Sequence, residues 1–133
     1  MIFGIGTDIL EVARIERVHQ RFGDRFAERL LLDEELELYA KAKNKTRFLG
    51  MRFAAKEAIA KALGTGFSNG IWVRDVGSVP NALGQPQVVY SNRGQAVCAR
   101  LGVGDGFLTL TDEAGLIVAV AVLLRRQEEA GSL

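Results

Sequence analysis

The sequence predicts an α+β protein in which helices pack against an antiparallel sheet. Three observations carry this: helical spacing is concentrated in the first half of the chain, extended segments dominate the second half, and the last two of these are separated only by the turn Asp112-Glu113-Ala114-Gly115. At 133 residues, 48% apolar and 25% charged, the chain is long enough for one ordinary core. A single domain over 1–126 is expected, followed by a polar, frayed tail at 127–133.

Residues 2–9 alternate as a strand would, with Phe3, Ile5 and Ile9 on one face and Gly4, Gly6 and Asp8 on the other. The glycine face permits a close approach by another segment or a ligand, with a carboxylate at its end. Apolar residues at Val12, Ile15, Val18 and Phe22 then mark a helix. A short helix is predicted over 33–41 with Asp33 as its cap, and a longer one from about Arg47 to Leu63, stopped by Gly64. Strands follow at 71–79 and 87–91 around the turn Asn81-Ala82-Leu83-Gly84. A helix capped by Ser91 or Asn92 runs to about Leu101, and strands at 107–111 and 116–124 form the closing hairpin. The last strand is apolar on both faces, so it needs two covers. In so small a chain the second cover is expected to be another copy of itself.

Composition excludes several classes of function. The longest apolar run, Leu116 to Leu124, is well short of the roughly 20 residues that span a bilayer as a helix. No basic stretch precedes the N-terminal apolar residues, so a cytoplasmic protein is expected. One cysteine, Cys98, excludes an internal disulfide, and a single histidine, His19, makes a structural zinc site a poor reading. Any metal should be a hard one held by oxygen. The net charge of +1 hides a segregation, because Lys41, Lys43, Lys45, Arg47, Arg52 and Lys56 stand in a stretch with no acidic residue. Such a stretch suits a polyanion, and it suits equally a solvated loop and helix start.

Glu57 and Lys61 are four residues apart in the alanine-rich run Phe53-Ala54-Ala55-Lys56-Glu57-Ala58-Ile59-Ala60-Lys61. On an exposed helix this spacing makes a routine ion pair. In a helix with so little polar surface it calls for a function, and Asp8 offers a second carboxylate. Mg²⁺ takes one or two carboxylates and fills its other positions with water and phosphate, while a lysine neutralises phosphoryl oxygens. Asp8, Glu57 and Lys61 are therefore the candidate site, with Mg²⁺ as cofactor. Gly4-x-Gly6 is not a dinucleotide fingerprint, since Ile9 occupies the place of its third glycine.

Gly4-Ile5-Gly6-Thr7-Asp8-Ile9 with Glu11, Arg52-Phe53-Ala54-Ala55-Lys56-Glu57-Ala58 with Lys61, Gly64-Thr65-Gly66, and Asn81-x-x-Gly84-x-Pro86 together resemble the holo-[acyl-carrier-protein] synthases, the small single-domain branch of the 4′-phosphopantetheinyl transferases. The resemblance extends from residue 2 to about 124. It implies the fold of that family and a homotrimer with active sites between subunits. It also implies transfer of phosphopantetheine from coenzyme A to a serine of apo acyl carrier protein, releasing adenosine 3′,5′-bisphosphate, in the service of fatty acid biosynthesis.

Carried over by position, the resemblance makes Asp8 and Glu57 metal ligands and gives Lys61 the phosphoryl charge. It gives Arg52, Pro86, Lys43, Lys45 and Arg47 the nucleotide end of coenzyme A. Asp112 stands where the family often has a histidine, leaving a polar contact to coenzyme A as its role. Leu10 stands where larger two-domain relatives carry a further carboxylate. Glu57 is the first candidate to accept the serine proton, and Asp8 the second. Arg14, Arg17, Arg21 and Arg25 would form one stripe on a continuous helix, facing an acidic carrier protein, with Arg14, Arg21 and Arg25 as contacts. A solvated helix face is the competing reading of the stripe, and Gly23 is a place where the helix could end. Two other classes remain open: a nucleic-acid module built on residues 41–56, which the near-zero net charge disfavours, and a scaffold in which Asp8, Glu57 and Lys61 only form a charge cluster.

Overall fold

In the computed structural model the described residues are 1–127, so the tail expected from 127 on lies outside them apart from Gln127. The first strand, β1 (Ile2–Glu11), alternates as expected. A Cβ built on Gly4 would sit 2.0 Å from the carbonyl oxygen of Ala62, and one on Gly6 would sit 1.9 Å from that of Ala58. The glycine face is therefore pressed, backbone to backbone, against the long helix α4 (Lys45–Leu63). Asp8, two residues beyond Gly6 on the same face, is carried to the flank of that helix.

Between them lie α1 (Val12–Phe22), α2 (Asp24–Leu30) and α3 (Asp33–Lys41). Helix α1 ends at Phe22, and Gly23, at φ 57°, separates it from α2, so Arg25 belongs to α2 and the four-arginine stripe is interrupted. Asp33 is the first residue of α3 rather than its cap. The cap position is Leu32, whose N–H is satisfied by the Glu35 carboxylate at 3.0 Å. Asn44 accepts from the N–H of Arg47 at 3.0 Å and starts α4, and Gly64, left-handed at φ 80°, ends it.

The predicted strand over 71–79 is only half present. Asp75 bends the run into a 3-10 turn, Val73–Asp75, by accepting from the N–H of Trp72 and the hydroxyl of Ser91, each at 2.8 Å. The extended part is β2 (Val76–Pro80), paired with β3 (Pro86–Tyr90) as a separate two-stranded sheet. Helix α5 (Asn92–Leu101) is capped by Ser91. The hairpin β4 (Val103–Glu113) and β5 (Leu116–Arg125) turns through Ala114 and Gly115, both at positive φ. β4 begins four residues earlier than expected.

The main sheet is antiparallel in the order β1-β5-β4. One face of central β5, Ile117, Ala119, Ala121 and Leu123, is fully buried under α4. On the other face Val118, Val120 and Val122 are half-buried, and their cross-strand neighbours Ile5, Ile9 and Phe107 remain 59%, 65% and 60% exposed. The expected second cover of β5 is thus not supplied from within the described residues. No helix among them is long and apolar enough to cross a membrane.

Lys56 does not belong to a surface polyanion site. It is fully buried, its Nζ donating to Glu35 Oε1 at 2.7 Å and to the carbonyls of Val73 and Val76 at 2.9 and 2.6 Å. Glu35, also fully buried, accepts in addition from the N–H of Ser78. One carboxylate thereby ties α3, α4 and β2 together.

Candidate active site

Because α4 is packed against β1 at backbone distance, the side chains flanking that contact meet one another. Lys61 donates from Nζ to the carbonyl oxygen of Thr7 at 2.9 Å and lies 3.5 Å from Asp8 Oδ1. Glu57, one turn earlier on α4, is partly buried, and the Asp8 side chain is only 14% exposed. Burial pushes both carboxyls above their usual range. For Glu57 the charge of Asp8 adds to the effect of burial, while Lys61 and Arg14 act against it at both groups. Two carboxylates that repel each other in a partly desolvated corner, beside a lysine, form a site that a further cation would relieve. Among the described residues no cluster of three or more histidine, cysteine or carboxylate side chains could hold a metal. Two protein oxygens suit Mg²⁺, which keeps several of its waters and binds phosphate alongside them.

Arg52 is five residues before Glu57, about 140° round the helix at 100° per residue, and so faces the opposite flank of α4. There Arg47, Phe48, Met51 and Arg52 line a groove with Ser78, Pro86 and Leu110. The Arg52 guanidinium stacks over the Phe48 ring at 4.2 Å, and its Nε is buried with no hydrogen-bond partner. The nearest Glu35 oxygen is 3.7 Å away and already engaged. Burial and incomplete pairing make this guanidinium a strong candidate to receive an anion. Arg47 reaches Asp112 across the groove mouth, so these two candidates contact each other.

The other two basic candidates are not in this groove. Lys45 turns back to donate to the carbonyls of Ala40 and Ala42 at the C-terminal end of α3, where a cation complements the helix dipole. Lys43 lies exposed in the preceding loop and is not among the residues lining the groove.

A third surface lies between α1 and α2, where Val18, Phe22 and Phe26 form an apolar trough flanked by Arg25 and Arg29. Arg21 lies over the ring of Phe22, which is itself 47% exposed. The helical spacing of Val18 and Phe22 fits a core face and this exposed trough equally. Exposure separates the two readings, and a single sequence does not encode it.

Residues 4–121 match the family model described as the 4′-phosphopantetheinyl transferase superfamily. The chain is 44% identical over 124 residues to the holo-[acyl-carrier-protein] synthase of Halorhodospira halophila, covering 93% of this chain and 98% of that protein. Its fold is similar to the crystal structure of the holo-[acyl-carrier-protein] synthase from Neisseria meningitidis, with a TM-score of 0.89 and 38% identity over 94% of this chain and all of that one. It is also similar to the Helicobacter pylori holo-[acyl-carrier-protein] synthase solved in complex with coenzyme A, with a TM-score of 0.78 and 29% identity over 90% and 98% of the two chains. A match spanning nearly the whole folded chain, with its paired carboxylates and basic groove inside the matched region, makes this chain a member of the 4′-phosphopantetheinyl transferase superfamily.

Proposed function

We propose that this protein is a holo-[acyl-carrier-protein] synthase, acting in the cytoplasm as a homotrimer. It moves the 4′-phosphopantetheine group of coenzyme A to a serine of apo acyl carrier protein and releases adenosine 3′,5′-bisphosphate. The observation that carries the reading is the desolvated Asp8–Glu57 pair beside Lys61.

Asp8 and Glu57 would hold Mg²⁺, which when bound neutralises the pyrophosphate and lowers the repulsion met by the attacking oxygen. The nucleophile comes from the carrier protein, so this chain orients two substrates and screens their charge. Lys61, anchored on the Thr7 carbonyl, keeps its ammonium beside the transferring phosphoryl group. Glu57, whose raised affinity for protons suits a general base, accepts the serine proton. The serine oxygen forms a bond to the phosphorus next to pantetheine, and the bond from that phosphorus to the bridging oxygen breaks. The electron pair leaves with adenosine 3′,5′-bisphosphate.

Arg47 and Arg52 receive the phosphate-bearing nucleotide end in their groove. The trough between α1 and α2, with Arg21, Arg25 and Arg29 around it and Arg14 nearer the carboxylates, suits an acidic carrier protein presenting an apolar helix face. The two flanks of α4 are on opposite sides of one helix, which supports active sites assembled between neighbouring copies. The uncovered apolar face of the main sheet supports the same assembly.

The direct test is intact-mass measurement of apo acyl carrier protein incubated with coenzyme A, Mg²⁺ and this enzyme. The expected product carries the phosphopantetheine increment on one serine. An unmodified carrier protein in the presence of all three components overturns the proposal.

A further inference from the structure

Arg47 lies in the first turn of α4 and Asp112 near the end of β4, yet their side chains close a bidentate pair, Nε to Oδ2 at 2.8 Å and Nη2 to Oδ1 at 3.0 Å. Arg47 lines the mouth of the basic groove. Its backbone is fixed as well, since its own N–H is held by Asn44. A guanidinium has five N–H donors in a planar fork, and this pair engages two of them. The others have no protein acceptor among the described residues. A free arginine side chain loses rotamer freedom when a ligand captures it, and a side chain already held loses less. The carboxylate also subtracts one charge from the groove, so it opposes anions unless its grip on Arg47 matters more. The bidentate geometry, on a residue half exposed at the groove, favours the grip.

We propose that Asp112 is a positioning residue for nucleotide binding: it grips one edge of Arg47 and so presents the remaining donors to a phosphate-bearing ligand. The inference rests on the assignment of this groove to the nucleotide end of coenzyme A. It gives the carboxylate at position 112 a task that acts through Arg47 and needs no contact with the ligand.

The test is calorimetric titration of adenosine 3′,5′-bisphosphate into the wild type, Asp112→Asn, Arg47→Ala and the double variant, with KM measured for both substrates. Asp112→Asn is expected to weaken binding roughly two- to fivefold, the scale of a partly exposed ion pair. The KM for coenzyme A should rise by the same factor and the KM for carrier protein should not. In the Arg47→Ala background the Asp112 substitution should bring no further loss, since only the carboxylate's opposing charge is then removed. Tighter binding by Asp112→Asn would make the carboxylate a competitor and overturn the proposal. An unchanged affinity, or an equal loss without Arg47, overturns it too. If the wild type binds neither the bisphosphate nor coenzyme A, the groove assignment fails and takes this inference with it.

Discussion

At the scale of single residues, the proposed function rests on groups where burial and charge conflict. Glu57→Ala removes one proposed metal ligand and the proposed base together, and proton transfer by a placed carboxylate is commonly worth 10²–10⁴-fold. Turnover should therefore fall by about that factor with the melting temperature kept, and near-normal turnover at limiting Mg²⁺ would contradict the assignment. The raised affinity of Asp8 and Glu57 for protons has a definite sign. The folded state holds these protons above the ordinary values of 3.8 and 4.5, so the ligand-free protein should lose stability as pH rises through the window above those values. Turnover, which on the proposed assignment needs the ionised pair, should instead fall as pH drops through the same window. On the proposed assignment Mg²⁺ binds only the ionised pair, so it should raise the melting temperature more at pH 7 than at pH 4, and Asp8→Asn should abolish that increment. An equal shift at both pH values would show that Mg²⁺ binds elsewhere. The convergence of Asp8, Glu57 and Lys61 was legible in the sequence because charges among alanines and glycines are costly to place without a partner. The fates of Lys56 and Lys45 were not legible. Their acceptors are Glu35 and the carbonyls of residues 40, 42, 73 and 76, and neither a buried partner nor a backbone carbonyl has a sequence signature.

At the scale of elements, the contact between β1 and α4 sets the site. Gly6→Ala would place a methyl carbon 1.9 Å from the Ala58 oxygen and 2.6 Å from the Ala62 nitrogen, both backbone atoms that cannot swing aside. Overpacking commonly costs about 1–3 kcal/mol, and a backbone clash this close should reach the upper end. Because the strand must retreat from the helix, turnover should drop further than the lost stability explains. Measuring the melting temperature and kcat together checks this, and a variant with wild-type values of both would show that the contact is not needed. Glu35→Ala leaves the fully buried Lys56 without its counter-charge and should cost about 3–5 kcal/mol, read from denaturant unfolding. Most elements were readable from period and caps: β1 from its alternation, α4 from Gly64, α5 from Ser91. Two of the misreadings share one cause, that a polar side chain closed a local turn. Asp75 cut the predicted strand in half, and Glu35 rather than Asp33 satisfied the start of α3.

At the scale of the whole molecule, the uncovered sheet face and the proposed division of the site between copies make the same demand. Ile5, Ile9 and Phe107 are more than half exposed beside Val118, Val120 and Val122, a contiguous apolar surface of the kind that associates in water. Phe107→Asp should therefore yield smaller particles by light scattering together with loss of turnover, although residue 107 is neither a proposed metal ligand nor a proposed base. Complementation separates a merely stable assembly from a shared active site. Glu57→Ala spoils one flank of α4 and Arg52→Ala the other, so each variant alone should be nearly inactive. If each site takes Glu57 from one copy and Arg52 from its neighbour, unfolding and refolding an equal mixture places two intact halves together wherever an Arg52→Ala copy supplies the carboxylate and a Glu57→Ala copy supplies the groove. With random closed assembly that is about one site in four, so roughly a quarter of wild-type turnover should return. If each chain builds its own site, no pairing of the two variants restores a complete one and the mixture stays as inactive as its parts. Recovery near a quarter, lost again when both copies also carry Phe107→Asp, would tie the apolar face of the sheet to the chemistry on the far side of its helix.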